Sequence, residues 1–225
     1  MSRLLIPFLL LISINLFAQS PQKRHWKFDN LDGWVYSHQD NNPEKQCEIT
    51  DGALKIMTRK GSYDRKKMHT VDKIYTTGRY TWRAYVSPIA LGDQTSIGCW
   101  LYSDDKHEID FEVGPGKSTV RNQLNAKDNE MVVYATTQGN PYNTHFEPLT
   151  VGWHIFELDL TSVDGKYKVD WIIDKKIVCS VQQTFGPEVA FYIFCSVENL
   201  KFLGDHPASQ DNYGLFDYVK YRYHR

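Results

Sequence analysis

The sequence predicts an all-β protein built as a two-sheet antiparallel sandwich, and three observations carry that expectation. Short runs rich in Val, Ile, Thr, Tyr, Phe and Trp recur along the chain, separated by Gly, Pro, Asn and Asp. The 3.6-residue periodicity of amphipathic helices is nearly absent. One segment, residues 107–114, alternates acids and hydrophobes, the period-two pattern of a strand with two unlike faces.

Taken in order, the first residues are set apart from the fold. Arg3, the apolar stretch from Leu4 to Phe17, and then Ala18, Gln19 and Ser20 read as a secretory signal peptide over residues 1–18, too short to span a membrane. Residues 19–225 are therefore expected as one sandwich domain in a secreted or periplasmic protein. Strands are predicted at 53–59, 67–75, 79–87, 95–103, 106–114, 118–126, 131–137, 153–160, 166–173, 175–182, 189–197 and 215–223. So many short strands require two packed sheets. Thr50-Asp51-Gly52 and Val163-Asp164-Gly165 place a glycine where a tight turn needs positive φ. The polar segments 39–44 and 203–212 read as surface loops that could border a cleft.

Composition bounds the function. With 225 residues, 41% of them hydrophobic and 14% aromatic, the chain can bury a sizeable core. A mean hydropathy of -0.49 excludes a polytopic membrane protein. Lys and Arg number 26 against 27 Asp and Glu, a balance with no footprint for nucleic acid or anionic lipid, so a neutral substrate is expected, and the chain is expected as a monomer. Cys47, Cys99, Cys179 and Cys195 permit two disulfides, one or none, with buried thiols expected for at least two; no zinc-ligand spacing is present.

The segment His107-Glu108-Ile109-Asp110-Phe111-Glu112-Val113-Gly114 carries the chemistry. As a strand it sends Ile109, Phe111 and Val113 to the core and gathers Glu108, Asp110 and Glu112 on the other face. Three acids in line repel one another and are poor strand formers, so such a face asks for a purpose. Glycoside hydrolysis supplies one, since it needs a carboxylate and a carboxylic acid flanking the scissile bond. Neighbouring carboxyls cannot all ionise easily, so the group should retain a proton and offer an acid and a base together near neutral pH.

Phasing the neighbouring strands suggests binding residues. In 95–103, Gly98, Trp100 and Tyr102 oppose Ile97, Cys99 and Leu101, which makes Trp100 and Tyr102 candidates for stacking on sugar rings. In 79–87, Arg83 falls opposite Trp82 and Ala84 and could reach the cleft. In the strand expected at 118–126, Gln123 and Asn125 share a face with Arg121, and their amides suit sugar hydroxyls.

Trp100-Leu101-Tyr102-Ser103-Asp104-Asp105, leading into Glu108-Ile109-Asp110-Phe111-Glu112, resembles the active-site signature of glycoside hydrolase family 16, the laminarinase, lichenase and agarase group. Thr77-Gly78-Arg79-Tyr80-Thr81-Trp82-Arg83-Ala84, Trp153-His154, Val169-Asp170-Trp171 with Asp174, and Phe216-Asp217-Tyr218-Val219-Lys220-Tyr221 fall in a matching order. The resemblance implies a concanavalin A-like β-jelly roll and a retaining mechanism, with Glu108 as nucleophile, Glu112 as general acid/base and Asp110 as their helper. It implies no catalytic cofactor or metal, and at most a structural calcium near Asp217. The competing expectation is a carbohydrate-binding module of the same fold, which would have no use for three acids on its cleft face.

Overall fold

The computed structural model describes residues 21–139 and 141–224; the expected signal peptide at 1–18 lies outside the described residues. In chain order the strands are β1 (Lys23–Trp26), β2 (Trp34–His38), β3 (Cys47–Thr50), β4 (Ala53–Thr58), β5 (Arg65–Thr70), β6 (Gly78–Val86), β7 (Thr95–Asp104) and β8 (His107–Gly114). A short helix α1 (Ser118–Leu124) follows, then β9 (Glu130–Gln138), β10 (Asn143–Thr150), β11 (Gly152–Val163), β12 (Lys166–Ile173), β13 (Lys176–Gln182), β14 (Tyr192–Asn199) and β15 (Asn212–Tyr223). They form two antiparallel sheets, as the sequence predicts. A seven-stranded sheet runs β10-β9-β8-β7-β14-β5-β2; an eight-stranded sheet runs β13-β12-β11-β6-β15-β4-β3, with β1 added beside β15.

Alternation decides what each sheet buries. Ile97, Cys99 and Leu101 of β7 and Ile109, Phe111 and Val113 of β8 face inward against Tyr80, Trp82, Phe156, Leu158 and Trp171 of the other sheet. Phe111 meets Phe156 across the sandwich at 5.3 Å between ring centroids. Two buried indoles bind the sheets by directed bonds as well. Trp171 Nε1 donates to the Asp110 carbonyl at 2.9 Å and Trp82 Nε1 to the Phe194 carbonyl at 3.0 Å. A buried indole N–H needs such an acceptor, and these acceptors lie on the strands beneath the acidic face.

The two anticipated glycine turns form with positive φ at both central residues, Asp51 and Gly52, and Asp164 and Gly165. All four cysteines are thiols, with Cys47, Cys99 and Cys195 buried. Strands β1, β2, β3 and β10 go beyond those predicted. Pro148 weakens β10 as a sequence signal, and the structure places β10 at a sheet edge, where a missing N–H is tolerated.

One predicted strand is overturned. Residues 118–126 contain α1 instead, because Val120 and Leu124 are four apart and pack together beside Val132, Tyr134 and Leu203. Arg121 fastens the helix, donating to the carbonyls of Pro115 at 2.6 Å, Glu130 at 2.8 Å and Lys127 at 2.6 Å. Asn125 caps it in the left-handed conformation at φ 53.

Candidate active site

The outer face of the seven-stranded sheet carries a cleft of about 430 Å³, and Glu108, Asp110 and Glu112 of β8 all line it. Register brings the rest of the wall into place. Glu112 stands opposite Gly98 of β7, and Gly98 opposite Ser196 of β14. Gly98 is needed there: a Cβ would come within 2.3 Å of Ser196 Oγ and 3.0 Å of Glu112 Oε1. A hydrogen at this position leaves room for the carboxyl to lie close over the sheet.

The three carboxyls have no cation in direct hydrogen-bond contact among the described residues. Ser96 donates its hydroxyl to Glu112. Gln138 Nε2 donates to Glu108 Oε1 at 2.9 Å and lies 3.4 Å from Asp110 Oδ2. Burial therefore dominates their protonation. It pushes Glu112 up to about 8, helped by the negative charge of Glu198. Burial pushes Glu108 up to about 6, opposed by a hydrogen bond from Asp110. Asp110, buried between two acids, is held well above the usual carboxylate range. At neutral pH this arrangement keeps protons on Asp110 and Glu112 and leaves Glu108 largely ionised, so an acid and a base coexist on one strand face.

Trp100 and Tyr102 also line the cleft. Trp100 is not an open platform: it is 6% exposed, its ring stacks on Phe194 at 3.9 Å, and its Nε1 donates to Ser196 Oγ at 2.9 Å. It braces the wall, while half-buried Tyr102 donates to Asp105 Oδ1 at 2.8 Å on the rim.

Three expected binding residues lie elsewhere. Arg83 alternates outward as predicted, but β6 belongs to the eight-stranded sheet, so Arg83 emerges on the opposite side of the sandwich; there it pairs with Asp217 at 2.8 Å and covers the Trp153 ring at 4.3 Å. Gln123 and Asn125 are exposed on α1 and its cap, outside the cleft, because the segment coils rather than extends. Asp217 occupies a bulge in β15, and the Arg83 guanidinium engages its carboxylate. That carboxylate is thus poorly suited to ligate calcium.

The sequence reading missed a fourth carboxyl and its partners. Glu198 of β14 is buried in the same cleft, bridged by Arg65 Nε at 2.6 Å and Lys67 Nζ at 3.0 Å, both from β5. Phase could have found it, since Glu198 falls in step with Phe194 and Ser196, but the predicted strand stopped one residue short.

No family model matches the sequence, and a search of curated proteins finds no match. Solved structures share the fold. A transglycosylase in complex with NAG aligns at a TM-score of 0.69 and 14% identity, over 92% of this chain and 86% of that one. A Bacillus licheniformis β-glucanase aligns at 0.63 and 15% identity, over 92% of this chain and all (100%) of the other. A protein from Z. galactanivorans in complex with laminaritriose and laminaritetraose aligns at 0.65 and 13% identity, over 91% and 99%. At such identities the likeness establishes a common fold, the jelly-roll sandwich that the sequence predicts.

Proposed function

We propose that the chain is an exported, retaining endo-glycosidase that hydrolyses the O-glycosidic bonds of a β-linked polysaccharide of the β-glucan or galactan class. The observation that carries this reading is the split in protonation along one strand face, with Glu112 pushed up to about 8 and Glu108 to about 6. Glu108 attacks the anomeric carbon as Glu112 gives its proton to the departing oxygen, and the covalent glycosyl-enzyme is then released when Glu112 takes a proton from the incoming water. Asp110 keeps a proton and hydrogen-bonds Glu108, which holds the nucleophile's charge and orientation. Similarly folded proteins named as a β-glucanase and a lichenase support the substrate class. Export rests on the charged and apolar pattern from Arg3 to Phe17. A binding module would gain nothing from carboxyls held protonated by burial, which costs stability.

Proton NMR of the first product formed from a β-linked polysaccharide, recorded before mutarotation, tests the mechanism. Two successive inversions leave the β-anomer. An initial α-anomer would overturn the roles of both glutamates.

A further inference from the structure

The whole-chain charge balance conceals a sharp local separation inside the cleft. Arg65, Lys67 and His69 alternate along β5 with residues that face inward, and two of them are cations on the cleft face. Lys67 is 3% exposed, with Nζ 2.8 Å from Gln39 Oε1 and 5.1 Å from the Trp100 ring centroid. Arg65 stands at a neck: it lines both the catalytic cleft and an adjoining pocket of about 660 Å³ beyond the ends of β5 and β14.

The acids around this neck are already engaged. Asp64 receives Arg59 through Nε and Nη2, each at 2.9 Å. Asp40 receives the Arg65 backbone N–H at 2.6 Å and the buried Lys66 ammonium at 3.1 Å. Glu198 is shared between Arg65 and Lys67. Those pairs leave Arg65, Lys67 and Lys201 facing only Glu198 at the neck, while Asp105, Glu108, Asp110 and Glu112 line the rest of the cleft, so the positive charge is a local separation rather than a net excess. Arg65 uses only Nε on Glu198, and among the described residues its two Nη groups have no hydrogen-bond acceptor. Exposed Lys201 holds its Nζ over the Tyr63 ring, 5.2 Å from the centroid. Planar guanidinium donors that open on a pocket suit an anion with two or three oxygens.

We propose that Arg65, with Lys67 and Lys201, determines specificity for a glycan carrying an anionic substituent, a carboxylate or a sulfate ester, seated at the neck beside the scissile bond. This rests on the glycosidase reading and changes its substrate from a neutral to a charged chain. Screening by solvent is limited where Lys67 is buried, so the local field counts for more than the net charge of the chain.

The test takes the polysaccharide that the protein cleaves fastest in three forms: unmodified, oxidised to the C6 carboxylate, and sulfated. At low salt, KM for one charged form should lie about tenfold below that for the unmodified form, and raising salt from about 0.01 to about 1 M should remove the difference. Arg65→Gln should remove it at low salt, and Arg65→Lys, which keeps the charge without the fork, should retain part of it. The preferred charged form identifies the anion. Equal or better KM for the unmodified form at low salt overturns the proposal while leaving the glycosidase reading standing. Calorimetry with Glu108→Gln separates the two readings in the other direction: tight, salt-sensitive binding of a charged chain, without cleavage of any form by the natural protein, would support the anion site and sink the catalytic assignment.

Discussion

Strands β8 and β5 each present three ionisable side chains at alternate positions on the cleft face, and they handle charge in opposite ways. On β8, Glu108, Asp110 and Glu112 have no cation in direct hydrogen-bond contact among the described residues, with neutral Gln138 and Ser96 as their partners from other strands, so burial raises all three and holds protons on part of the group. On β5, Arg65 and Lys67 share Glu198, and His69 is placed against Phe194 with its Nδ1 at 2.8 Å from the Thr70 carbonyl. A buried charge with an opposite partner is quiet scaffold; a buried acid without one becomes a proton reservoir. The first arrangement suits chemistry and the second suits holding a ligand. Two strands, β7 and β14, separate them and carry the small residues, Gly98 and Ser196, that let the acidic side chains lie flat.

The comparison breaks most visibly at β8. Glu108→Gln and Glu112→Gln should each lower kcat by about two to four orders of magnitude with folding intact. Full activity in either variant would remove β8 from the chemistry. Glu112→Gln should also melt higher than the natural protein above pH 8. The Glu112 pKa is raised on folding, so its proton favours the folded state at low pH, and that stabilisation is lost as pH climbs through about 8. The amide has no proton to lose.

On β5 the corresponding break is in stability. Lys66 points inward with no exposed surface, binding Asp40 at 3.1 Å and the Asn42 carbonyl at 2.6 Å. Lys66→Met leaves Asp40 without its buried cation and should lower unfolding free energy by about 3–5 kcal/mol in denaturant titration, with kcat within about twofold. A smaller loss would mean that the Arg65 and Asn42 backbone N–H groups alone satisfy Asp40.

The same contrast explains what could be read from the sequence. Strand β8 declared itself because its inward residues are all apolar, so the alternation shows both the strand and its phase. Strand β5 was legible only in part: the strand expected at 67–75 overlaps it but begins two residues late, because its inward Lys66 breaks the hydrophobic period, and a buried lysine is legible only once Asp40 is seen beside it. Arg83 was phased correctly but assigned to the wrong surface, since alternation distinguishes the two faces of a strand and says nothing about which sheet it joins. At 118–126 the spacing of Val120 and Leu124 satisfies a period of two and a helical turn alike, and Arg121's three carbonyl bonds, made to residues on both sides of the helix, decide for the helix.

Asp110→Asn probes how the β8 carboxyls share protons. The amide can still donate to Glu108, yet it cannot exchange a proton with it. A loss of about tenfold in kcat, roughly 1.4 kcal/mol on the barrier from the lost proton exchange, is expected against the far larger losses at Glu108 and Glu112. A loss equal to that of Glu108→Gln would make Asp110 a direct participant.

The finest test asks whether the two strands communicate, and Glu198→Gln is the substitution that answers it. Activity requires Glu108 ionised and Glu112 protonated, so the profile of kcat/KM should form a bell between limbs near about 6 and about 8. The charge of Glu198 raises both groups, and removing it lowers both. The same change leaves Arg65 and Lys67 without their shared counter-ion, and their unopposed positive charge favours ionised carboxylates nearby, again lowering both pKa values. The two effects have the same sign, so the whole bell should move toward acid, both limbs together. A glutamine that acted only by loosening the fold would lower the plateau without moving either limb. A bell that stays in place, or one that moves toward alkali, would show that the cation pair on β5 and the proton store on β8 are electrostatically independent.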